Sequence, residues 1–161
     1  MAEFHSIKVA EIIKETKDTV SVTFDIPEHL QKSFEFIQGQ YLTLRKMING
    51  EDIRRSYSLC TSPLENKWKV AIKKIPGGIF STYANDELKV GDELQLMEPE
   101  GSFYVDVDKN ASKNYIAFAA GSGITPMLSI IKTHLLSEPK STFKLFYLNR
   151  TVKSIIFKEE I

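Results

Sequence analysis

The 161-residue chain balances 21 Lys and Arg against 21 Asp and Glu, with 42% hydrophobic and 26% charged residues. That composition is the globular average and excludes a disordered, collagen-like or membrane-spanning chain, while zero net charge excludes an overall pull toward nucleic acid or an anionic membrane. The single cysteine, Cys60, excludes an internal disulfide and a thiolate cage for zinc or an iron–sulfur cluster.

The opening Met1-Ala2-Glu3-Phe4-His5 has neither the basic start nor the continuous apolar stretch of a secretory signal, and no later run approaches transmembrane length. A cytoplasmic protein with no membrane or nucleic-acid partner is expected. His5, His29 and His134 are scattered without ligand spacing, so no metal is assigned.

Alternating apolar and polar residues predict short half-buried antiparallel strands through residues 1–107, a mainly β region. Strands are expected over 7–13, 20–26, 41–46, 54–60, 68–74 and 93–97, divided by turn signals at Asn49-Gly50, Pro76-Gly77-Gly78 and Gly91-Asp92. Six closely spaced strands suggest a closed or nearly closed barrel, which removes exposed edges. A polar stretch, 108–114, then marks a boundary. Residues 115–120 form an apolar strand of the kind buried on both faces, followed by a glycine loop, a helical pattern from Met127 to Leu136 and a second strand over 143–148. Strand, helix, strand is the start of a parallel α/β sheet. Two strands cannot close such a sheet, so the sequence is expected to be a piece of a longer protein, with 151–161 beginning a helix.

Three segments carry chemistry. On the strand Arg54-Arg55-Ser56-Tyr57-Ser58-Leu59, alternate residues face one way, so Arg55, Tyr57 and Leu59 share a face and Ser56 and Ser58 the other. A guanidinium fork suits phosphate, an aromatic ring suits a flat heterocycle, and a hydroxyl suits a ring nitrogen; a surface Arg–Tyr pair is the plainer reading. In Ile75-Pro76-Gly77-Gly78-Ile79-Phe80-Ser81-Thr82-Tyr83, two glycines and a short helix's positive end suit a pyrophosphate, or simply a capped hairpin turn. In Gly121-Ser122-Gly123-Ile124-Thr125-Pro126, a glycine loop joins strand to helix, with Thr125 as expected N-cap and Pro126 as first helical residue. Its context is that of a nucleotide-binding loop, and a plain strand-to-helix turn is the alternative.

In this order the segments resemble the ferredoxin–NADP reductase superfamily, with R-x-Y-S at Arg55-Ser56-Tyr57-Ser58, G-x-x-S at Gly78-Ile79-Phe80-Ser81 and G-x-G-x-x-P at Gly121-Ser122-Gly123-Ile124-Thr125-Pro126. Lys73-Lys74-Ile75-Pro76-Gly77-Gly78 and Leu148-Asn149-Arg150-Thr151 look most like reductase components of multicomponent oxygenases, notably of the phenylacetyl-CoA epoxidase type.

The resemblance implies a six-stranded antiparallel Greek-key FAD-binding barrel over 1–107 and the truncated start of an α/β NAD(P)-binding domain over 108–161. It implies that Arg55 binds the FAD pyrophosphate, Tyr57 packs on the isoalloxazine and Ser58 hydrogen-bonds near flavin N5, with Ser56, Ile72 and Lys73 beside the cofactor. Gly77, Gly78, Ile79, Phe80 and Ser81 would hold the pyrophosphate from the other side. Gly121, Ser122, Gly123, Ile124, Thr125 and Pro126 would receive the nicotinamide nucleotide, with Thr125 near the flavin ring. Arg150, which could equally be an exposed arginine, hints at a 2′-phosphate.

The implied activity is hydride transfer from NAD(P)H to FAD and single-electron transfer to a ferredoxin-type domain or oxygenase component. Any iron–sulfur cluster would lie in a missing domain or a separate partner. Ser58 and Thr125 would align the reacting centres. The alternative is a non-catalytic flavin-binding electron-transfer or regulatory subunit of a larger complex. Cys60 is expected to be a small buried hydrophobe rather than a redox thiol.

Overall fold

The computed structural model describes residues 3–161; Met1 and Ala2, the first two residues of the opening stretch, lie outside the described residues. Six strands, β1 (His5–Thr16), β2 (Thr19–Asp25), β3 (Tyr41–Ile48), β4 (Glu51–Ser58), β5 (Trp68–Lys73) and β6 (Glu93–Leu96), form one sheet in the order β4-β3-β6-β1-β2-β5. Every pairing is antiparallel. The insertion of β6 between β3 and β1 is the Greek-key step.

Local chemistry explains the joins. Asn49 and Gly50 both adopt positive φ, 51° and 82°, the backbone of a two-residue hairpin that matches strand twist, and this fixes the register of β3 on β4. The sheet's two ends meet through a bridge between Leu59 and Val70, with the Cys60 amide donating to the Lys69 carbonyl at 2.9 Å. The strand ends thus curl into a barrel, whose interior holds Ile7, Val22, Leu42, Leu44, Val70 and Leu96.

Helix α1 (Ile79–Asp86) follows β5 and plugs the barrel with Phe80 and Ala84. A second sheet pairs β7 (Asn114–Ala120) in parallel with β8 (Thr142–Leu148), joined by helix α2 (Ile124–Ser137). The expectation of a strand buried on both faces fails here. Ala117 and Ala119 are buried, but Ile116 and Phe118 are 63% and 68% exposed because α2 covers one face only.

Residues 151–161 do not begin a helix either. A single 3-10 turn, Val152–Ser154, is closed by reciprocal Thr151 and Ser154 contacts, and Phe157 takes a left-handed φ of 59° that a helix cannot accommodate. The gain is burial. Ile156 and Phe157 enter a second core with Cys60, Ala71, Ile124 and Leu128, where Lys69 lies over the Phe157 ring and binds Glu160 at 3.2 Å. Cys60 is buried there, and burial pushes its thiol up to about 12, so it stays protonated as the sequence leads one to expect. No described helix is long and apolar enough to cross a membrane.

Candidate functional site: a cleft lined by three segments

On β4, Arg55 and Tyr57 stand opposite Leu44 and Leu42 of β3, so both belong to the inner face, where the strand runs out of the core. Ser56 faces the other way, its hydroxyl 3.0 Å from that of Thr43. Asp52 occupies the neighbouring cations, Arg45 at 2.8 Å and Arg54 at 2.7 Å. Arg55 is treated differently. Its Nη1 donates to the Arg54 carbonyl at 2.6 Å, and it has no carboxylate partner among the described residues, which leaves a guanidinium with donors to spend. Tyr57 is half-buried beside Phe80, ring centroids 5.8 Å apart at 35°. Burial lifts its phenol to about 12 against the pull of Arg55, so the ring stays neutral.

The turn after β5 is pinned by a single hydroxyl. Ser81 Oγ accepts from the Ile75 amide and donates to the Gly78 carbonyl, both at 3.3 Å. Gly77 has a φ of +73°, and a Cβ on Gly78 would overlap Ser81 Oγ and stand 2.6 Å from Ile75 Cγ1. The first helical bond of α1 runs from the Thr82 amide to the Gly78 carbonyl, and no side chain caps the helix. The amides of Ile79, Phe80 and Ser81 therefore have no acceptor among the described residues, the condition in which a helix start binds an anion. Asn85 fixes α1 to the barrel by donating to the Ile72 carbonyl at 3.0 Å and the Ser81 carbonyl at 2.9 Å.

The third segment is a 3-10 turn over Gly121–Gly123 leading directly into α2. Thr125 is not the N-cap; that place falls to Gly123, and Thr125 sits within the first turn, its hydroxyl donating to the Ser122 carbonyl at 3.0 Å. A Cβ on Gly121 or Gly123 would meet nothing within 4 Å, so these glycines leave open space above the loop. Tyr147 of β8 holds the loop from beneath, its hydroxyl donating to the Gly121 carbonyl at 2.8 Å.

These segments line one cleft of about 680 Å³. It gathers Arg55, Ser56, Tyr57 and Ser58 from β4, Lys73 from β5, Gly77 to Ser81 from the turn and α1, and Ser122, Gly123, Thr125 and Pro126 from the third loop. Four expected residues stand outside its lining. Ile72 and Ile124 are wholly buried in the two cores, Gly121 is half-buried directly after β7, and Arg150 is exposed beyond β8. Conversely, Ala71, which the sequence does not single out, lines the cleft, as do Ile75 and Pro76, which open the glycine segment without being assigned a role there. Ala71 was legible, since it shares the outward face of β5 with Lys73.

A flavin dinucleotide fits this donor set. The free guanidinium of Arg55 and the unpaired amides at the start of α1 suit a pyrophosphate, Tyr57 offers a neutral ring to a flat heterocycle, and the volume lies in the range of about 300–1,000 Å³ usual for such sites.

Comparison with known proteins agrees. Residues 6–104 match the oxidoreductase FAD-binding domain family and residues 118–161 the oxidoreductase NAD-binding domain family. The chain is 45% identical over 161 residues to one component of the 1,2-phenylacetyl-CoA epoxidase of Escherichia coli strain K12, covering 100% of this chain and 45% of that protein. It is 36% identical over 157 residues to the ferredoxin reductase component of 3-ketosteroid-9-alpha-monooxygenase from Rhodococcus rhodochrous, covering 96% of this chain and 44% of that protein. The solved phthalate dioxygenase reductase superposes with a TM-score of 0.79 at 31% identity, over 98% of this chain and 47% of that one. The chain thus spans under half the length of these relatives. With a Greek-key barrel, a helix start whose amides are uncapped and the opening of a parallel sheet in this order, it belongs to the FAD-binding oxidoreductases of the ferredoxin–NADP reductase superfamily.

Proposed function

We propose that the chain is the flavin-binding portion of an NAD(P)H-dependent reductase that delivers electrons to an iron–sulfur or ferredoxin-type acceptor serving an oxygenase. The observation that carries this reading is the meeting of three segments far apart in sequence, 55–58, 77–81 and 122–126, on one cleft. In it, residues 1–107 are the FAD barrel and 108–161 the opening of the nucleotide domain. The names of the relatives, a component of an epoxidase and an oxygenase's ferredoxin reductase component, support the choice of acceptor class.

What FAD supplies when bound is the exchange between two-electron and one-electron transfer. The chain's own residues bind and orient. Arg55 and the amides of Ile79, Phe80 and Ser81 grip the pyrophosphate from two sides, and Tyr57 packs against the flavin. Ser58 and Thr125, on opposite walls, align the nicotinamide with the flavin; no side chain needs to move a proton. Ser122, Gly123 and Pro126 receive the nicotinamide nucleotide over open backbone, and Arg150 serves only a nucleotide reaching beyond the cleft.

An anaerobic titration of the FAD-loaded protein with NADH and NADPH, followed by absorbance, tests the reading. Bleaching of the flavin bands by either nucleotide is expected. A protein that holds FAD and is bleached by neither would be an electron-transfer or regulatory subunit instead.

A further inference from the structure

The cleft's two walls are tied together by buried hydroxyls that the flavin and nucleotide motifs do not include. Ser129, wholly buried on α2, donates from Oγ to the Thr61 carbonyl at 2.6 Å and accepts from the Gly39 amide at 3.3 Å. One turn further along α2, Thr133 Oγ1 lies 2.7 Å from the Ser129 carbonyl and 2.9 Å from Ser62 Oγ. Thr133 Oγ1 is the donor in both contacts, so its single proton serves the Ser129 carbonyl and the Ser62 hydroxyl oxygen together. All of these side chains are buried. Gly39 completes the junction. Its φ is +92°, and a Cβ there would overlap the Phe103 carbonyl oxygen and stand 3.2 Å from Ile130 Cδ1, so the barrel loop, the segment after β6 and α2 meet with no room to spare.

Thr61 and Ser62 continue the chain directly from the flavin motif, three and four residues beyond Ser58. Thr125, Ser129 and Thr133 recur every four residues along α2, a spacing that stacks them on one face. The path from Ser129 back to Thr125 is one helical turn, about 6 Å, and the path from Thr61 back to Ser58 is about 10 Å of extended chain. Two hydrogen bonds therefore join the residue proposed to face the flavin to the residue proposed to face the nicotinamide.

We infer that Ser129, seconded by Thr133, is a positioning residue that sets the register of the 121–126 loop against the flavin strand, and so governs the rate of hydride transfer without contacting either cofactor. The inference rests on the reductase reading for its catalytic consequence, but the register itself is a property of the chain. Hydrophobic contact alone would let α2 slide on the barrel at little cost; a buried carbonyl and amide that must both meet one hydroxyl do not.

The test compares Ser129→Ala, Thr133→Val and Thr133→Ser with the parent in the full chain. Thr133→Val keeps shape and loses the hydroxyl, and Thr133→Ser keeps the hydroxyl. Ser129→Ala and Thr133→Val should bind FAD within about twofold of the parent, yet show flavin reduction by the nicotinamide nucleotide slowed about 10- to 100-fold, as a small misplacement of reacting groups produces. In the FAD-free protein, hydrogen exchange of the Gly39 amide and of residues 121–126 should quicken in both. Thr133→Ser should match the parent in every measurement.

Parent-like reduction and exchange in Ser129→Ala and Thr133→Val would overturn the inference. So would a Thr133→Ser variant as impaired as Thr133→Val, or a loss of FAD affinity in step with rate. Should the parent itself not be reduced by either nucleotide, the reductase reading fails separately, and the exchange measurement alone decides whether the hydroxyls hold the loop.

Discussion

Arg55 differs from its neighbours by what it lacks. Asp52 neutralises Arg45 and Arg54, while Arg55 projects into the cleft with only a backbone carbonyl as partner among the described residues. Arg55→Ala should therefore weaken FAD binding by the worth of a charge-assisted contact, about 1.5–3 kcal/mol, and leave folding nearly unchanged; a flavin-fluorescence titration beside a thermal melt reads both. Gly78→Ala acts by another route. Its methyl must displace Ser81 Oγ or Ile75, which breaks the hydroxyl pin of the turn and turns the free amides off target. FAD affinity should fall at least tenfold in the same titration, with the thermal midpoint moving less than for a core substitution. At this scale the sequence was informative where strand alternation or a glycine run set the geometry, as at Arg55, Tyr57, Gly77 and Gly78. It was silent about Asn85, Tyr147 and Ser129, because their roles consist of contacts with residues distant in the chain that no periodicity encodes.

Among the elements, the segment between β6 and β7 is fastened more firmly than its polar composition suggests. Glu138, wholly buried at the end of α2, accepts from the Asp108 amide at 3.0 Å, from Ser141 at 2.8 Å, from Tyr115 at 3.0 Å and faces His134 Nδ1 at 3.0 Å, while His134 Nε2 meets the Val105 carbonyl at 3.1 Å. The Asp108 amide above all draws the Glu138 carboxyl down to about 2 from its ordinary 4.5. A carboxyl whose folded value is depressed contributes stability that is complete above its unfolded value and is lost as pH falls toward the folded one. The thermal midpoint should drop between about pH 4.5 and pH 2, and Glu138→Gln should start lower and fall less across that window. A parent and variant with parallel pH profiles would contradict this.

Gly39→Ala should be more damaging than its loop position implies. It combines a left-handed backbone with overlap of the Phe103 carbonyl, so a loss of at least about 2 kcal/mol in denaturant unfolding is expected. Element boundaries were legible to within a few residues. The exceptions have plain causes. The start of α2 shifts onto Gly123 because the Thr125 hydroxyl turns back to Ser122, and 151–161 gives up helix to bury Ile156 and Phe157.

The molecule as a whole is a barrel core and a smaller second core sharing a border at Cys60 and Ala71, with the cleft opening along that border. Six strands and a barrel could be anticipated from spacing alone. The closing bridge at Leu59 and Val70 could not, since closure depends on strand twist summed around the sheet. The uncovered face of β7 and β8, with Phe118 stacked on Phe146 at 5.1 Å, follows from having only two strands and one helix there.

In the proposed arrangement Arg55, Tyr57 and the start of α1 hold one flavin between them. The most direct measurement is the absorbance spectrum of the protein after incubation with FAD and removal of free flavin, compared with Arg55→Ala under the same treatment. One retained FAD per chain is expected in the parent and a clear loss in the variant; a colourless parent, or a variant that keeps its flavin in full, would rule this arrangement out.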